Sequence, residues 1–316
     1  MALGFQVSVG SIPGRAHVGS GNLLNGKNNQ DGFVLEVFDD CIIALVQDGC
    51  SSGAHSEVGA KVGAKILSRL IYDSIRSGAL PAVATADDAS LQLERIRRRL
   101  LSRLKLIAES LKMPNCICPN QSKCKCGEKK LVHDFLLFTT VGLIVMPSRT
   151  IIFSLGDGMY ALNDRIEELG PFPNNAPPYV AYSLFPNLFA VNQELLRYKI
   201  HAVIPTQQLN SAMVATDGLK ELVGRELRTF PGKQKCIGNL RQLWLDDRFF
   251  EDEDQTVEKG DHSLGNGNRE LITPWLRQIN SEVVRLNTDE FRMERSAGLL
   301  QDDTTVIALR RQARGR

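Results

Sequence analysis

GFVLEVFDDCIIALVQDG, residues 32–49, decides the fold class. Two runs rich in β-branched and apolar residues, 32–38 and 41–47, are joined only by Asp39-Asp40, the pattern of an antiparallel hairpin. The second run ends abruptly in Asp48-Gly49. After it, Val58, Val62, Ile66, Leu67 and Leu70 recur at spacings of three and four, which predicts a helix from about residue 55. Ser51-Ser52-Gly53 supplies turn and cap chemistry ahead of that helix. A loop with Pro81 follows, and a second amphipathic helix is expected over about 89–111.

Strand-like runs return at 135–146, 150–155, 159–162, 198–204 and 211–216, with a last one at 304–309. The proline-rich stretch 170–186 reads as an irregular surface loop. Helices are expected over about 270–286 and on to 295. Strands that follow one another through short turns make antiparallel sheets, and helices that arrive in pairs cover them, so the class is α+β. The regular strand–helix alternation of a parallel doubly wound sheet is absent.

Composition narrows the chemistry. The chain has 316 residues, 43% hydrophobic and 23% charged, the balance of a globular chain rather than a disordered one. Its formal net charge of +2 points to neither nucleic acid nor an anionic membrane as a partner. Six basic residues between Arg95 and Lys105 read as the solvated face of the second helix. The longest apolar stretch, 136–146, falls short of the ~20 residues a spanning helix needs. MALGFQVSVG at the N-terminus has no basic region of a secretory signal. An odd count of seven cysteines excludes a fully paired disulfide framework, which favours a reducing, cytoplasmic setting.

Four aspartates stand where strands should end: Asp31 before the first, Asp48 after the second, Asp217 after a middle one and Asp302 before the last. Strand ends can bring such carboxylates to one point, where they raise one another's pKa unless a cation neutralises them. Hard divalent cations take all-oxygen ligand sets of this kind. Aspartate beside glycine is also ordinary turn chemistry, so spacing alone stops at a candidate metal cluster.

The ordered motifs go further. Asn28-Asn29-Gln30-Asp31, Asp48-Gly49-Cys50-Ser51-Ser52-Gly53, Phe138-Thr139-Thr140, Gly156-Asp157-Gly158, Ala215-Thr216-Asp217-Gly218 and Asp302-Asp303-Thr304-Thr305 together resemble the metal-dependent protein phosphatases of type 2C, in particular a divergent bacterial branch. The resemblance spans about residues 9–310. It implies one domain over 1–316, with a Cys-rich insertion at about 112–130 and an acidic then Gly-rich loop at about 249–268. The implied fold is a four-layer α-β-β-α sandwich, two antiparallel sheets flanked by helices, with the site in a cleft at one edge.

The resemblance implies hydrolysis of phosphoserine and phosphothreonine in proteins, by a water or hydroxide bridging two Mn²⁺ or Mg²⁺ ions. Asp48 matches the bridging aspartate and Gly49 the residue whose carbonyl joins the coordination. Asp217 and Asp302 match the carboxylates of the first metal, Asp31 an acid on the second metal's side, and Asp157 the position that helps hold a third. A phosphoprotein substrate, an opposing Ser/Thr kinase and a monomeric state go with that reading. Many members carry an arginine that grips phosphate where this chain has Gly26, so Lys27 beside it becomes the candidate phosphate contact, as a point charge without arginine's fork. Cys50 stands where some members have histidine, and Gly158-Met159 where serine and arginine are usual. The alternative is a catalytically weak or inactive binding or regulatory module on the same fold.

Cys116, Cys118, Cys124 and Cys126 form a C-x-C-x5-C-x-C cluster inside the insertion. Four thiolates can close a structural Zn²⁺ site, although paired zinc cysteines usually stand two residues apart. Disulfides and free thiols are the other readings.

Overall fold

The computed structural model describes residues 2–18, 27–111, 126–185, 192–251, 269–288 and 290–312. In chain order its elements are β1 (Phe5–Ile12), α1 (Arg15–Val18), β2 (Gly32–Val37), β3 (Ile42–Gln47), α2 (Ser56–Arg76), α3 (Ala86–Ser110) and α4 (Cys126–Leu131). Then come β4 (Thr140–Val145), β5 (Arg149–Leu155), β6 (Gly158–Leu162), β7 (Arg165–Leu169), β8 (Lys199–Pro205) and β9 (Ser211–Ala215). The chain closes with α5 (Gln242–Leu245), α6 (Thr273–Asn280), β10 (Val283–Asn287), β11 (Arg292–Ser296) and β12 (Thr304–Arg311).

Two five-stranded sheets carry the fold, one ordered β2-β3-β4-β5-β8 and the other β1-β12-β9-β6-β7. The ladders within both are antiparallel. The unbroken apolar run of β3 is explained by its place: all six of its residues are buried because both of its faces are covered. Successive strand side chains point to opposite faces. Ile42, Ala44 and Val46 therefore meet Val214, Ile307 and Leu309 in the layer between the sheets. Ile43 and Leu45 point the other way, onto Ala64, Leu67 and Ile71 of α2, with Leu93 and Ile96 of α3 in the same cluster. On the far side, Val306 and Ala308 of β12 pack with Trp244, Trp275 and Leu276. Helix, sheet, sheet and helix thus alternate as the resemblance implied.

Several local expectations change. Helix α2 starts at Ser56, with His55 at its N-cap making no side-chain cap bond, so Ser51-Ser52-Gly53 supplies the turn and not the cap. Helix α3 starts earlier than the apolar periodicity indicated, because Thr85 and Asp88 close a reciprocal capping box. The expected strand over 135–146 shortens to β4, with Val132–Leu136 wound into a wide π-type turn before it. The expected helices over 270–295 reduce to α6, after which β10 and β11 pair as a hairpin. Val283-Val284 is β-branched and Ser281 is already extended, so helix propensity fails there. The 170–186 stretch is not all surface: Tyr179, Val180 and Ala181 are buried beneath α3. Strands β1 and β7 were not anticipated, and the charged sequence of β7 (RIEEL) suits an edge strand.

On β8, His201 hydrogen-bonds the Ser154 hydroxyl through Nε2 (2.8 Å), and its ring lies 4.9 Å from that of Tyr160. Loss of hydration, then the nearby Lys199, push its pKa down to about 4. An unfolded histidine takes up its proton near pH 6.5, so stability falls as pH drops from about 6.5 toward 4, where only the unfolded chain gains the proton. Urea unfolding at pH 7 and pH 5 should show a smaller acid loss in His201→Gln than in the wild type. An equal loss in both would remove His201 from the account.

Candidate active site

Antiparallel pairing puts one end of both sheets together. Gly32 pairs with Gln47, so Asp31 and Asp48 flank the same hairpin end. Ala215 pairs with both Val306 and Met159, which brings Asp217, Asp302 and Asp157 to the corresponding end of the other sheet. The structure thus gathers the predicted acids across the two sheets. Asp31 and Asp157 are buried, while Asp48, Asp217 and Asp302 stay partly open to solvent.

Their mutual influence is electrostatic. Loss of hydration, then the charges of Asp31, Asp217, Asp302 and Asp157, raise the Asp48 pKa well above its ordinary range. Burial and then Asp303 raise Asp31. Burial and then Asp302 raise Asp217, and burial also raises Asp302. Asp157 is pushed up to about 6 by burial and by Asp217. Asp31 Oδ1 and Asp157 Oδ1 are buried without a hydrogen-bond partner. Glu221 adds a further acid: loss of hydration raises its pKa and it accepts a hydrogen bond from the Gln301 N–H (2.7 Å).

Buried, mutually repelling carboxylates with orphaned oxygens suit hard cations, and to that extent the residues fit the metals the resemblance implied. Among the described residues, no three His, Cys, Asp or Glu side chains are already closed into a ligand cage for one ion. The carboxylates share a field without being clasped around a point.

The backbone around them is tightly set. The Asp48 carbonyl accepts from the Thr139 N–H (2.8 Å), and Gly49 bridges to Phe138. A Cβ on Gly49 would stand 2.6 Å from the Gln30 carbonyl oxygen and 2.8 Å from Ser56 Oγ. Only glycine leaves that approach unblocked. Thr216 Oγ1 donates to Asp31 Oδ2 (2.8 Å) and accepts from the Thr305 N–H (2.9 Å), tying the first motif to both strands of the other sheet. Lys27 sits at the rim, donating through Nζ to the Ser51 carbonyl (2.7 Å), and its charge is felt at Asp302.

Asp303, beside Asp302 in the last motif, has a role that only its surroundings reveal. Its carboxylate accepts from the Gly14 N–H (2.7 Å) and from the Gln30 N–H, and it faces His17 Nδ1 at 2.8 Å. Asp302 stays partly open to solvent and Asp303 is buried, as alternation along an extended chain requires. That alternation was the available signal. His55 stays outside the acid group, its exposed ring against Phe135. Cys116, Cys118 and Cys124 lie outside the described residues; Cys126 opens α4. Most of the expected acidic loop, from 252 on, lies outside them too.

The architecture is an α+β sandwich of two antiparallel sheets with acids gathered at one end, and comparison makes the class specific. The family model described as protein phosphatase 2C matches residues 18–247, and the chain belongs to that family. Serine-threonine phosphatase 2C from Toxoplasma gondii is similar at 13% identity and a TM-score of 0.50, covering 98% of this chain and 96% of that one. Serine/threonine phosphatase Stp1 from Staphylococcus aureus is similar at 12% identity and a TM-score of 0.46, covering 100% and 98%. No curated protein matches the sequence significantly. Among the described residues, no helix is long and apolar enough to cross a membrane.

Proposed function

We propose that the chain is a protein serine/threonine phosphatase that works with Mn²⁺ or Mg²⁺ and opposes a Ser/Thr kinase. The observation that carries the reading is the set of Asp31, Asp48, Asp157, Asp217 and Asp302, whose pKa values are raised by burial and then by neighbouring carboxylates, against the opposing pull of Lys220 on Asp157 and Asp217 and of His17 and Lys27 on Asp302. Asp48, with Gly49, Asp217 and Asp302, would hold the ions, Asp31 would support them from the second-metal side, and Asp157 would serve a third. Bound there, hard divalent cations supply charge neutralisation for a phosphate and a lowered pKa for a water nucleophile. Asp31 is held in place by Thr216, and Asp302 is placed by the strand that Asp303 anchors. Lys27 at the rim offers a positive point charge to the phosphate, without the bidentate grip of arginine.

The test is hydrolysis of p-nitrophenyl phosphate by the purified protein with and without Mn²⁺, alongside thermal unfolding. Manganese-dependent turnover is expected, and Mn²⁺ at 100 times its Kd should add about 2.7 kcal/mol of stability. Absence of both turnover and a thermal shift would overturn the reading and leave a binding module on the phosphatase fold.

A further inference from the structure

One hydrogen-bonded chain beside the acid cluster has no part in the reading above. Cys50 Sγ lies 3.1 Å from Ser52 Oγ, Ser52 Oγ lies 3.2 Å from His133 Nε2, and His133 Nδ1 lies 3.1 Å from Asp134 Oδ1. Lys130 donates to the other oxygen of Asp134. Against the upward push of partial burial, the hydrogen bonds from Lys130 and His133 hold the Asp134 carboxyl below its ordinary range. Asp134 therefore stays ionised, keeps the proton on His133 Nδ1, and directs Nε2 at Ser52.

The loop that carries Ser52 borders the acid cluster. It follows Asp48-Gly49 directly, takes the Lys27 ammonium on the Ser51 carbonyl, and takes the Gln30 amide on the Gly53 carbonyl (3.2 Å). Burial, then a hydrogen bond with Cys50 and the charges of Cys50, Asp48 and Asp157, push the Tyr179 hydroxyl up, so this buried side chain lies near both the loop and the carboxylates. From behind, the π-type turn Val132–Leu136 is docked onto the loop. The His55 N–H donates to the Asp134 carbonyl (2.7 Å), and a Cβ on Gly53 would stand 2.8 Å from the His133 carbonyl oxygen. Single π-type turns interrupt regular helix at a cost and gather at functional sites. His133 is only partly covered, so solvent reaches its ring.

We propose that Ser52 and His133 form a proton relay that serves the leaving group of the phosphoester. This rests on the phosphatase reading. As the bond between phosphorus and the seryl or threonyl oxygen breaks and the bond from the attacking water oxygen forms, that water releases one proton to solvent, and the departing oxygen keeps the electron pair and takes the Ser52 Oγ proton. Ser52 Oγ then takes the Nε2 proton of protonated His133, which solvent restores. The charged and titratable groups joined to His133 are Asp134 on its own turn, Lys130 on α4 through Asp134, and Cys50 on the loop through Ser52. His133 acts through Ser52 and is a positioning residue; Ser52 is the group that meets the substrate.

A relay of this kind matters for a poor leaving group and little for a good one. General acid assistance contributes about 10²–10⁴-fold. The measurement is the ratio of kcat on a phosphoserine peptide to kcat on p-nitrophenyl phosphate, with Mn²⁺, in the wild type and in His133→Asn. The ratio should fall about 100-fold. Ser52→Ala, at an exposed position, should lower it by the same factor, and the double variant should lower it no further. A ratio unchanged in both variants, whether the two rates fall together or not at all, would overturn the relay and leave the phosphatase reading intact. A wild type that hydrolyses neither substrate would overturn both.

Discussion

Asp48→Asn and Asp302→Asn are each expected to abolish Mn²⁺-dependent hydrolysis of p-nitrophenyl phosphate, with a loss beyond the roughly 100-fold that follows when a ligand's supporting partner is removed. The two residues lie at the ends of strands in different sheets, β3 and β12, so a shared effect cannot come from one damaged element. Asparagine keeps the size of the side chain and removes one of several mutually repelling charges. Unfolding in the presence of a chelator should therefore show variants at least as stable as the wild type, while the stabilisation by Mn²⁺ is lost. Turnover persisting in both variants would show the site assignment to be wrong.

Asp303→Ala should destabilise the fold by about 3–5 kcal/mol, the range for breaking a buried, charged hydrogen-bonded group. The side chain is 2% exposed and gathers the N–H groups of Gly14 and Gln30 together with the His17 ring. Removing it leaves two buried backbone donors unpaired, each costing roughly 1–3 kcal/mol. The loss also frees the segment between β1 and β2 from the start of β12, so metal-dependent activity should drop with stability. Urea unfolding checks this: the midpoint should fall with the slope unchanged. A loss under about 1 kcal/mol would mean that water replaces the carboxylate and that the anchoring account fails.

The layer arrangement was legible because β3 is apolar on both faces, and a strand buried on both sides requires a layer above and below it. The position of the four principal aspartates was legible for a related reason: each sits at a boundary where a strand-like run starts or stops. Strands β1 and β7 were missed. FQVSVGSI mixes polar and apolar residues around two small ones, and RIEEL carries the charges of an edge. The hairpin of β10 and β11 was read as helix because its exposed faces bear the same mix of Arg, Glu and apolar residues as a surface helix.

The local order of the chain, where strands run, where they stop and which of them end in aspartate, follows from side-chain periodicity and turn chemistry, which act between near neighbours. Which of two adjacent acids stays open to solvent was settled only by tertiary structure, because Asp302 and Asp303 are chemically the same and differ in the direction the backbone leading into β12 turns them. The meeting of Ser52 with His133 is likewise tertiary. Eighty-one residues separate them, and only the docking of the π-type turn on the loop after β3 brings the hydroxyl and the ring within hydrogen-bonding distance.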